Sequence, residues 1–361
     1  MRLSKRSHRS LTFVVLASIF FAACIPTPSA PAASGKIAFL LPETKTARYE
    51  TQDLPIFKAK LKALGFDVEK NLIYSNAKQD ASAQQSQAEA ALTNGAKVLV
   101  LDPVDSNAAA AIANLAEAKG VPVIAYDRLI KGSAGVDYYI SFDNEQVGKL
   151  QGQSLLEALK GKPQPVIVMI NGSPTDNNAT LFKRGAHSVL DGKVIIAKEY
   201  DTPDWSPDKA QEEMTQALTA LGNKVDGVYA ANDGTAGGAI AAMKAAGLKP
   251  LPPITGQDAE LTAIQRILIG EQYMTVYKAI KPEAEITAEF AFALWSNKPV
   301  PLNKLNGKTH NGKIEVPSIV LTPVAVTKTN VKDTVVADEF WKVFDLCKNE
   351  YAKACGAAGI K

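Results

Sequence analysis

The sequence predicts an α/β protein with two doubly wound lobes, each built on a parallel β-sheet. Short runs of consecutive apolar residues recur along the chain, and such runs are typical of strands that helices cover on both faces. Segments with helical spacing separate these runs, as expected for parallel strands joined by crossover helices. Two series of similar size follow one another, and the roughly 325 residues after the N-terminal segments suffice for two domains.

The first series begins with an apolar strand, and its helices carry apolar residues at helical spacing. In the first helix these residues run from Leu54 to Leu64, with Gly65 as the expected terminator. The third helix is rich in alanine. The predicted strands lie at 36–41, 97–101, 122–126 and 138–142, and the predicted helices lie at 54–64, 82–93 and 107–119.

The second series repeats the same alternation. One of its helices starts at Ser206 and Pro207, a cap residue followed by a proline that suits the first helical position. A long helix and a last strand follow this series. The predicted strands lie at 166–170, 194–200, 228–231, 254–256 and 318–326, and the long helix lies at 284–295.

The first two dozen residues indicate export from the cytoplasm. Four basic residues precede an uncharged apolar run at 11–23, which is shorter than the about 20 residues of a membrane-spanning helix. The run ends in Phe21-Ala22-Ala23-Cys24, which resembles the lipobox of a bacterial lipoprotein, with Phe21 where leucine is usual. We predict a signal peptide at 1–23, lipidation of Cys24 and anchoring to the outer face of the cell membrane. The alternative is an ordinary secretion signal and a soluble periplasmic protein.

Composition and charge exclude several classes of partner. Residues 24–35 contain prolines and small residues without charge, so we predict a flexible tether. The four basic residues of the signal account for the net charge of +3, and the mature chain is left near −1. No basic patch points to nucleic acid, and no later run of about 18 apolar residues points to a membrane span.

Two further cysteines, Cys347 and Cys355, lie near the C-terminus. In an oxidising compartment they can pair, and we predict this disulfide over two free thiols. On a continuous helix they would lie about 12 Å apart, so pairing requires a break in the helix between them.

Polar and aromatic residues follow most of the predicted strands. In open parallel sheets ligands bind beyond the carboxyl ends of the strands, so these residues are the candidate site. They are Arg48, Tyr49, Asp127, Arg128, Asp176, Asn178, Trp205, Asn232, Asp258 and Lys278.

This mixture of side chains suits a sugar. Carboxylates and amides accept hydrogen bonds from hydroxyls, arginine and lysine donate them, and aromatic rings can cover the apolar faces of a pyranose. Each residue taken alone has a simpler explanation, since Asn and Asp after a strand often cap the next helix and Trp205 can be packing. The repetition at most strand ends favours the sugar hypothesis.

Several motifs together make the chain resemble a known family. It is similar to the sugar-binding proteins of bacterial ABC importers, in the ribose/galactose-type periplasmic binding protein family, and most of all to the D-xylose-binding branch. The resemblance covers about residues 36–335. The motifs are Ala-Tyr-Asp-Arg (125–128), Tyr-Ile-Ser-Phe-Asp-Asn-Glu (139–145), Gly-Ser-Pro-Thr-Asp-Asn-Asn-Ala (172–179), Asn-Asp-Gly-Thr-Ala-Gly-Gly (232–238), Gly-Gln-Asp-Ala (256–259) and Met-Thr-Val-Tyr-Lys (274–278).

The resemblance implies the type I periplasmic binding protein fold, in which three crossing segments join the lobes. The N-terminal lobe would comprise 36–141 plus 278–320, and the C-terminal lobe 142–277 plus 321–361. The protein would be a monomer that captures a monosaccharide by hinge closure and delivers it to an ABC permease and its ATPase. D-xylose is the expected sugar, with D-glucose and L-arabinose next.

The resemblance also implies roles for the candidate residues. Trp205 and Tyr49 would stack on opposite faces of the sugar ring, although the D-xylose-binding pattern has tryptophan at the position of Tyr49. Asp176 would assist. Arg48, Asp127 and Arg128 would contact the sugar from the first lobe. The contacts that close on it from the second lobe and the crossing strand would come from Asn178, Trp205, Asn232, Asp258 and Lys278.

Two other functions remain as alternatives. A glycosidase would need a carboxylate that donates a proton, and the nearby Arg and Lys residues would keep such groups ionised. The three histidines, His8, His187 and His310, form no evident catalytic pair, and we expect no cofactor and no metal. A sugar sensor that docks on a receptor would present the same surface as a transport protein, so the sequence does not separate these two roles.

Overall fold

The computed structural model describes residues 35–361. The predicted signal peptide, the lipidation site Cys24 and the tether up to residue 34 lie outside the described residues. No helix within 35–361 has the length and apolar character that crossing a membrane requires.

The larger of the sheets has seven strands in the order β10-β11-β5-β4-β3-β1-β2. All neighbouring strands are parallel except the edge strand β10, which runs antiparallel to β11. The strands are β1 (Lys36–Leu41), β2 (Leu72–Asn76), β3 (Ala96–Leu101), β4 (Val123–Tyr126), β5 (Tyr138–Phe142), β10 (Gly307–His310) and β11 (Glu315–Leu321).

The second lobe contains a parallel sheet in the order β7-β6-β8 and an antiparallel pair β9-β12. The segment predicted as a strand at 254–256 forms no regular strand: Ile254 makes a single parallel bridge to Val228. The strands are β6 (Val166–Asn171), β7 (Ile195–Asp201), β8 (Gly227–Ala230), β9 (Met274–Tyr277) and β12 (Val324–Thr327).

The chain crosses between the sheets three times, which gives the type I periplasmic binding protein architecture. It leaves the larger sheet after β5, returns after β9 and leaves again after β11. The single final strand predicted at 318–326 is therefore wrong, because β11 ends at Leu321 and β12 begins at Val324 in the other lobe. Pro323 lies between them and lacks the N–H that a continuous strand would need. The lobe boundaries themselves stay a prediction. Phe142 and Leu321, the first residues of the two segments assigned to the C-terminal lobe, pair with each other in the larger sheet.

Helices cover both faces of each sheet. They are α1 (Leu54–Ala63), α2 (Val68–Asn71), α3 (Ala81–Thr93), α4 (Ala110–Ala118), α5 (Asn144–Ala158), α6 (Asn177–Leu190), α7 (Pro207–Leu221), α8 (Asp233–Ala245), α9 (Leu261–Ile269), α10 (Ile280–Trp295), α11 (Val343–Leu346) and α12 (Ala352–Ala357).

The alternation of side chains explains why the strands are apolar throughout. In β1, Ile37 and Phe39 pack in one core cluster and Ala38 and Leu40 in another, on opposite faces of the sheet. Strands buried on both faces have no polar side, so the parallel sheet could be recognised from its composition.

The C-terminal segment packs near the points where the chain crosses between the sheets. Cys347 and Cys355 form a disulfide with 5.7 Å between their Cα atoms. This separation requires the break in the helix, since α11 ends at Leu346 and α12 begins at Ala352. Cys355 lies in the same core cluster as Phe142 and Ile280.

Helices α5 and α6 approach each other closely at two glycines. A Cβ atom added to Gly148 would lie 1.9 Å from the carbonyl oxygen of Phe182, and one added to Gly185 would lie 2.1 Å from that of Glu145. The backbones meet because both contact positions lack a side chain. This contact fixes α6, whose first turn carries residues of the site described below.

We predict that Gly148→Ala lowers the free energy of unfolding by at least about 2 kcal/mol, because the added methyl group overlaps backbone atoms that cannot rotate away. Urea denaturation measures this change. Gly356→Ala is the matched control, since Gly356 is also helical and has no atom within 4 Å of the added Cβ. The control should be neutral or slightly stabilising. Equal effects of the two substitutions would contradict the close packing of α5 and α6.

Candidate ligand-binding site

Residues at the strand ends of both lobes line a narrow cavity of about 20 Å³. Each parallel strand brings its carboxyl end to the same edge of its sheet, and the two edges face each other. The lining residues are Thr46, Tyr49, Asp127, Arg128, Asp176, Asn178, Phe182, Trp205, Asn232, Gln257, Asp258 and Lys278.

Nine of the ten candidate residues line this cavity, and Arg48 lies directly behind it. Sequence reasoning missed three lining residues. Gln257 precedes Asp258 and Thr46 shares the loop of Tyr49, so both lie in segments already singled out. Phe182 lies four residues after Asn178 on α6, and this spacing places the two side chains on the same helix face.

Asp127 and Asp258 occupy corresponding positions in the two lobes. Both have a left-handed backbone, with φ of 54° for Asp127 and 90° for Asp258. Their backbone N–H groups donate to Ile140 and Val276 on the neighbouring strands, each at 2.9 Å. Non-glycine residues rarely adopt this conformation, and it persists where the surrounding structure enforces it. The two carboxylates are therefore held in fixed directions at the cavity.

Arg48 lies at the centre of a buried group of carboxylates. Its guanidinium is 2.7 Å from Asp127 and 3.4 Å from Asp53, and it also approaches Glu283 at 3.8 Å and Asp258 at 3.9 Å. A buried charge is costly unless it is paired, so Arg48 requires these partners.

The protonation of these carboxylates follows from their position. Burial by itself would raise the pKa of Asp127, but the charges of Arg48, Lys278 and Arg128 outweigh it and lower this pKa to about 2. Burial raises the pKa of Asp53 and of Glu283, and Arg48 offsets only part of that rise. Asp127 is thus an ionised acceptor at neutral pH.

Arg128 forms a second group of charges and connects the lobes. Its Nε atom lies 3.0 Å from Asp176 in the second lobe, and its guanidinium is 3.6 Å from both Glu43 and Asp102 in the first. Burial raises the pKa of Asp102 and of Asp176, and the charge of Arg128 works against that rise. The ion pair between Arg128 and Asp176 forms only when the lobes are together.

The aromatic residues have polar anchors. Tyr49 donates its hydroxyl to Asp127 at 2.9 Å, and the Arg48 and Arg128 guanidiniums lie 4.9 and 5.7 Å from its ring centre. Trp205 donates Nε1–H to Asp176 at 3.1 Å. Both rings are therefore fixed, and the stacking assigned to them stays a prediction.

Two of the candidate residues also cap helices. Asp176 accepts the N–H of Asn178 at 2.8 Å at the start of α6, and Asn232 accepts the N–H of Thr235 at 2.8 Å in a capping box at the start of α8. The simpler explanation considered for such residues thus holds for these two. The side-chain oxygen of Asn232 accepts the hydrogen bond that caps the helix, and its side-chain nitrogen is the atom that a ligand would contact.

Several acceptors at the cavity have no hydrogen-bond partner within residues 35–361. They are Asp127 Oδ1, Asp258 Oδ1 and Gln257 Oε1. Lys278 Nζ lies 3.1 Å from Asp258 Oδ1 and 3.7 Å from Asp127 Oδ1, so both carboxylates have a cation nearby. Buried acceptors normally accept hydrogen bonds, so three at one cavity that accept none indicate a place for a ligand that donates them.

Direct contacts between the lobes close the cavity. Asn178 Nδ2 donates to the carbonyl oxygen of Asp127 at 3.0 Å. Ser106 N–H donates to the Thr175 carbonyl at 3.0 Å, and the Ser106 hydroxyl accepts from Asn177 N–H at 3.0 Å. These contacts surround the cavity with protein on both sides.

Comparison with known proteins agrees with this architecture. Residues 37–299 match the periplasmic binding protein domain family. The D-xylose-binding periplasmic protein of Haemophilus influenzae is 40% identical over 310 residues, which cover 84% of this chain and 90% of that protein. The multiple sugar-binding periplasmic receptor ChvE of Rhizobium radiobacter is 34% identical over 359 residues, covering 94% and 99% of the two chains.

A solved structure shows the same fold with a ligand. The ABC transporter solute-binding protein of Clostridium phytofermentans, with bound β-D-glucose, aligns with a TM-score of 0.78 and 30% identity over 86% of this chain and 99% of that one. The family match over most of the chain and the matching architecture lead to one conclusion: this chain belongs to the periplasmic binding protein family.

Proposed function

We propose that this chain is an extracytoplasmic sugar-binding protein that captures a monosaccharide, foremost D-xylose, and delivers it to an ABC importer. The observation that carries the proposal is the cavity between the lobes, at which oxygens of Asp127, Asp258 and Gln257 accept no hydrogen bond from residues 35–361. A sugar is rich in hydroxyl groups, which can donate hydrogen bonds to these acceptors. The relatives named above are binding proteins or a receptor, and the function proposed here is binding rather than catalysis.

The charges around the cavity favour a neutral sugar over a sugar acid. The three buried cations, Arg48, Arg128 and Lys278, all lie within 4 Å of at least two carboxylates. A ligand carboxylate would have to compete with the carboxyl groups that already surround these cations. The carboxylates concerned are Glu43, Asp53, Asp102, Asp127, Asp176, Asp258 and Glu283.

The charges around Asp127 count against its acting as the general acid of a glycosidase. Asp127, with its pKa lowered to about 2, holds no proton to donate at neutral pH. Its close contact with Arg48 keeps it ionised, which suits a hydrogen-bond acceptor and not a general acid.

The relatives support D-xylose first and a broader set second. A relative that is 40% identical is named for D-xylose, another for multiple sugars, and the aligned structure contains β-D-glucose. D-glucose and L-arabinose are therefore the next candidates. Tyr49 stands where the D-xylose-binding pattern has tryptophan, so one of the two predicted stacking rings differs from that pattern. Experiment has to decide between a pentose and a hexose.

The mechanism that we propose is hinge closure. Residues from both lobes line the cavity, so a sugar that contacts both is bound fully only when the lobes are closed. The ion pair between Arg128 and Asp176 and the hydrogen bond from Asn178 to Asp127 form across the same cleft. The bound sugar and these contacts between the lobes thus both favour the closed state.

We further propose that the protein acts as a monomer, held to the outer face of the membrane by a lipid on Cys24, and passes its sugar to a permease and an associated ATPase. A sensory role is the second candidate, because one relative is named as a periplasmic receptor. Genes for a permease and an ATPase beside the gene for this chain would favour transport.

A panel of neutral sugars and sugar acids tests the proposed ligand. We expect D-xylose to raise the melting temperature most, since a ligand at a hundredfold excess over its dissociation constant stabilises by about 2.7 kcal/mol. D-glucuronate should give no shift. A shift with a hexose or an acid but none with xylose would overturn the sugar assignment, and no shift with any sugar would overturn the proposed function.

Asp127→Asn tests the central acceptor. Asparagine tolerates the left-handed backbone, but it removes the charge beside Arg48 and one acceptor at the cavity. We expect the affinity for D-xylose to fall at least tenfold, about 1.4 kcal/mol, when measured by calorimetry. Asp333→Asn, at an exposed carboxylate, is the control and should bind as the unaltered protein does. Equal affinity of the two variants would remove Asp127 from the site.

Cys24→Ser tests the lipid anchor in the native host. Without the cysteine there is no lipid to hold the exported chain at the membrane, so the protein should move to the soluble extract or the medium. Immunoblots of separated membrane and soluble fractions measure this. If the variant remains with the membranes as the unaltered protein does, the lipobox assignment is wrong.

A further inference from the structure

Trp205 is held in a fixed position by an unusual backbone. It follows β7 in a short helical turn, Pro203–Trp205, and both Asp204 and Trp205 have positive φ angles, of 58° and 53°. Two consecutive non-glycine residues in this region are costly, and the surrounding structure must stabilise them. The indole is 4% exposed, so its position is set by what it touches.

Gly172, the residue after β6, lies against the indole. A Cβ atom at this position would lie 2.0 Å from Cη2, 2.4 Å from Cζ2 and 2.5 Å from Cζ3 of Trp205. Any larger residue at 172 would therefore require the ring or the backbone to move.

The backbone of Gly172 does not itself require glycine. Its φ angle lies outside the positive range in which glycine is favoured, unlike that of Gly192 or Gly222 in the same lobe. The remaining reason for glycine is the space that the indole occupies.

The indole is also held on its other sides. Nε1–H donates to Asp176, which in turn pairs with Arg128 at 3.0 Å, and the Phe182 ring lies 6.2 Å away at 63°. Trp205 lines the cavity and Gly172 does not, although a Cβ at 172 would meet the indole ring.

We propose that Gly172 is a positioning residue that sets how far the Trp205 indole reaches into the cavity, and thereby the size of the sugar that fits. The inference rests on the proposed function and goes beyond it, because it names a residue that selects between pentose and hexose. A methyl group at 172 pushes the indole toward the cavity, and the narrower space then disfavours the larger hexose more than the pentose.

The test compares Gly172→Ala and Trp205→Phe, which should change selectivity in opposite directions. Calorimetry with D-xylose and D-glucose gives the ratio of the two dissociation constants, glucose over xylose. We expect Gly172→Ala to raise this ratio about tenfold or more, the lower end of what one methylene-sized change is worth in a fitted pocket. Trp205→Phe replaces the indole by a smaller ring and should lower the ratio. Gly307→Ala, which has no atom within 4 Å of its added Cβ, is the matched control and should leave the ratio unchanged.

A merely structural role of Gly172 would lower stability and affinity for both sugars equally, without a change in their ratio. That result, or a shift in the same direction for both variants, would overturn the inference. If Gly172→Ala does not fold, the ratio for Trp205→Phe decides alone, since an unchanged or raised ratio contradicts the proposal. Failure of the unaltered protein to bind either sugar would instead overturn the proposed function.

Discussion

The buried contact between Arg48 and Asp127 is the interaction on which the site depends. A guanidinium and a carboxylate are both expensive to remove from water, and each is tolerated here because the other lies 2.7 Å away. The pair fixes the ionised form of Asp127 and holds it beside the cavity, while Tyr49 donates to the same carboxylate oxygen. The second oxygen, Oδ1, has no hydrogen-bond partner within the described residues and remains for a ligand.

The second group of charges has a different consequence. Arg128 belongs to the first lobe and Asp176 to the second, so the charge of Arg128 finds its nearest carboxylate only across the cleft. Asp176 also accepts the indole N–H of Trp205 and caps α6. One carboxylate thus links the closure of the lobes, the start of a helix and the position of an aromatic ring. One residue can both cap a helix and bind a ligand, because both roles need a fixed hydrogen-bond acceptor at a strand end.

The glycines of the second lobe show how backbone contacts prepare the site. Gly148 and Gly185 allow α5 and α6 to approach to backbone contact, which positions the first turn of α6 at the cavity. Gly172 leaves room for the indole of Trp205 in the same region. Close packing behind the cavity therefore determines where the side chains in front of it stand.

The sequence alone determined the fold class and most of the lining of the cavity. Parallel strands covered on both faces are apolar throughout, and their carboxyl ends are the places where polar residues can meet, so Asp127, Trp205 and Lys278 stood out by position. Only the tertiary structure decided which polar atoms at the cavity already form hydrogen bonds within the protein and which form none. The oxygen of Asn232 caps α8, Phe182 enters from the helix face, and Pro323 divides a predicted strand between two lobes. These outcomes depend on contacts between residues far apart in the chain, and such contacts cannot be predicted from local patterns of apolar and polar residues.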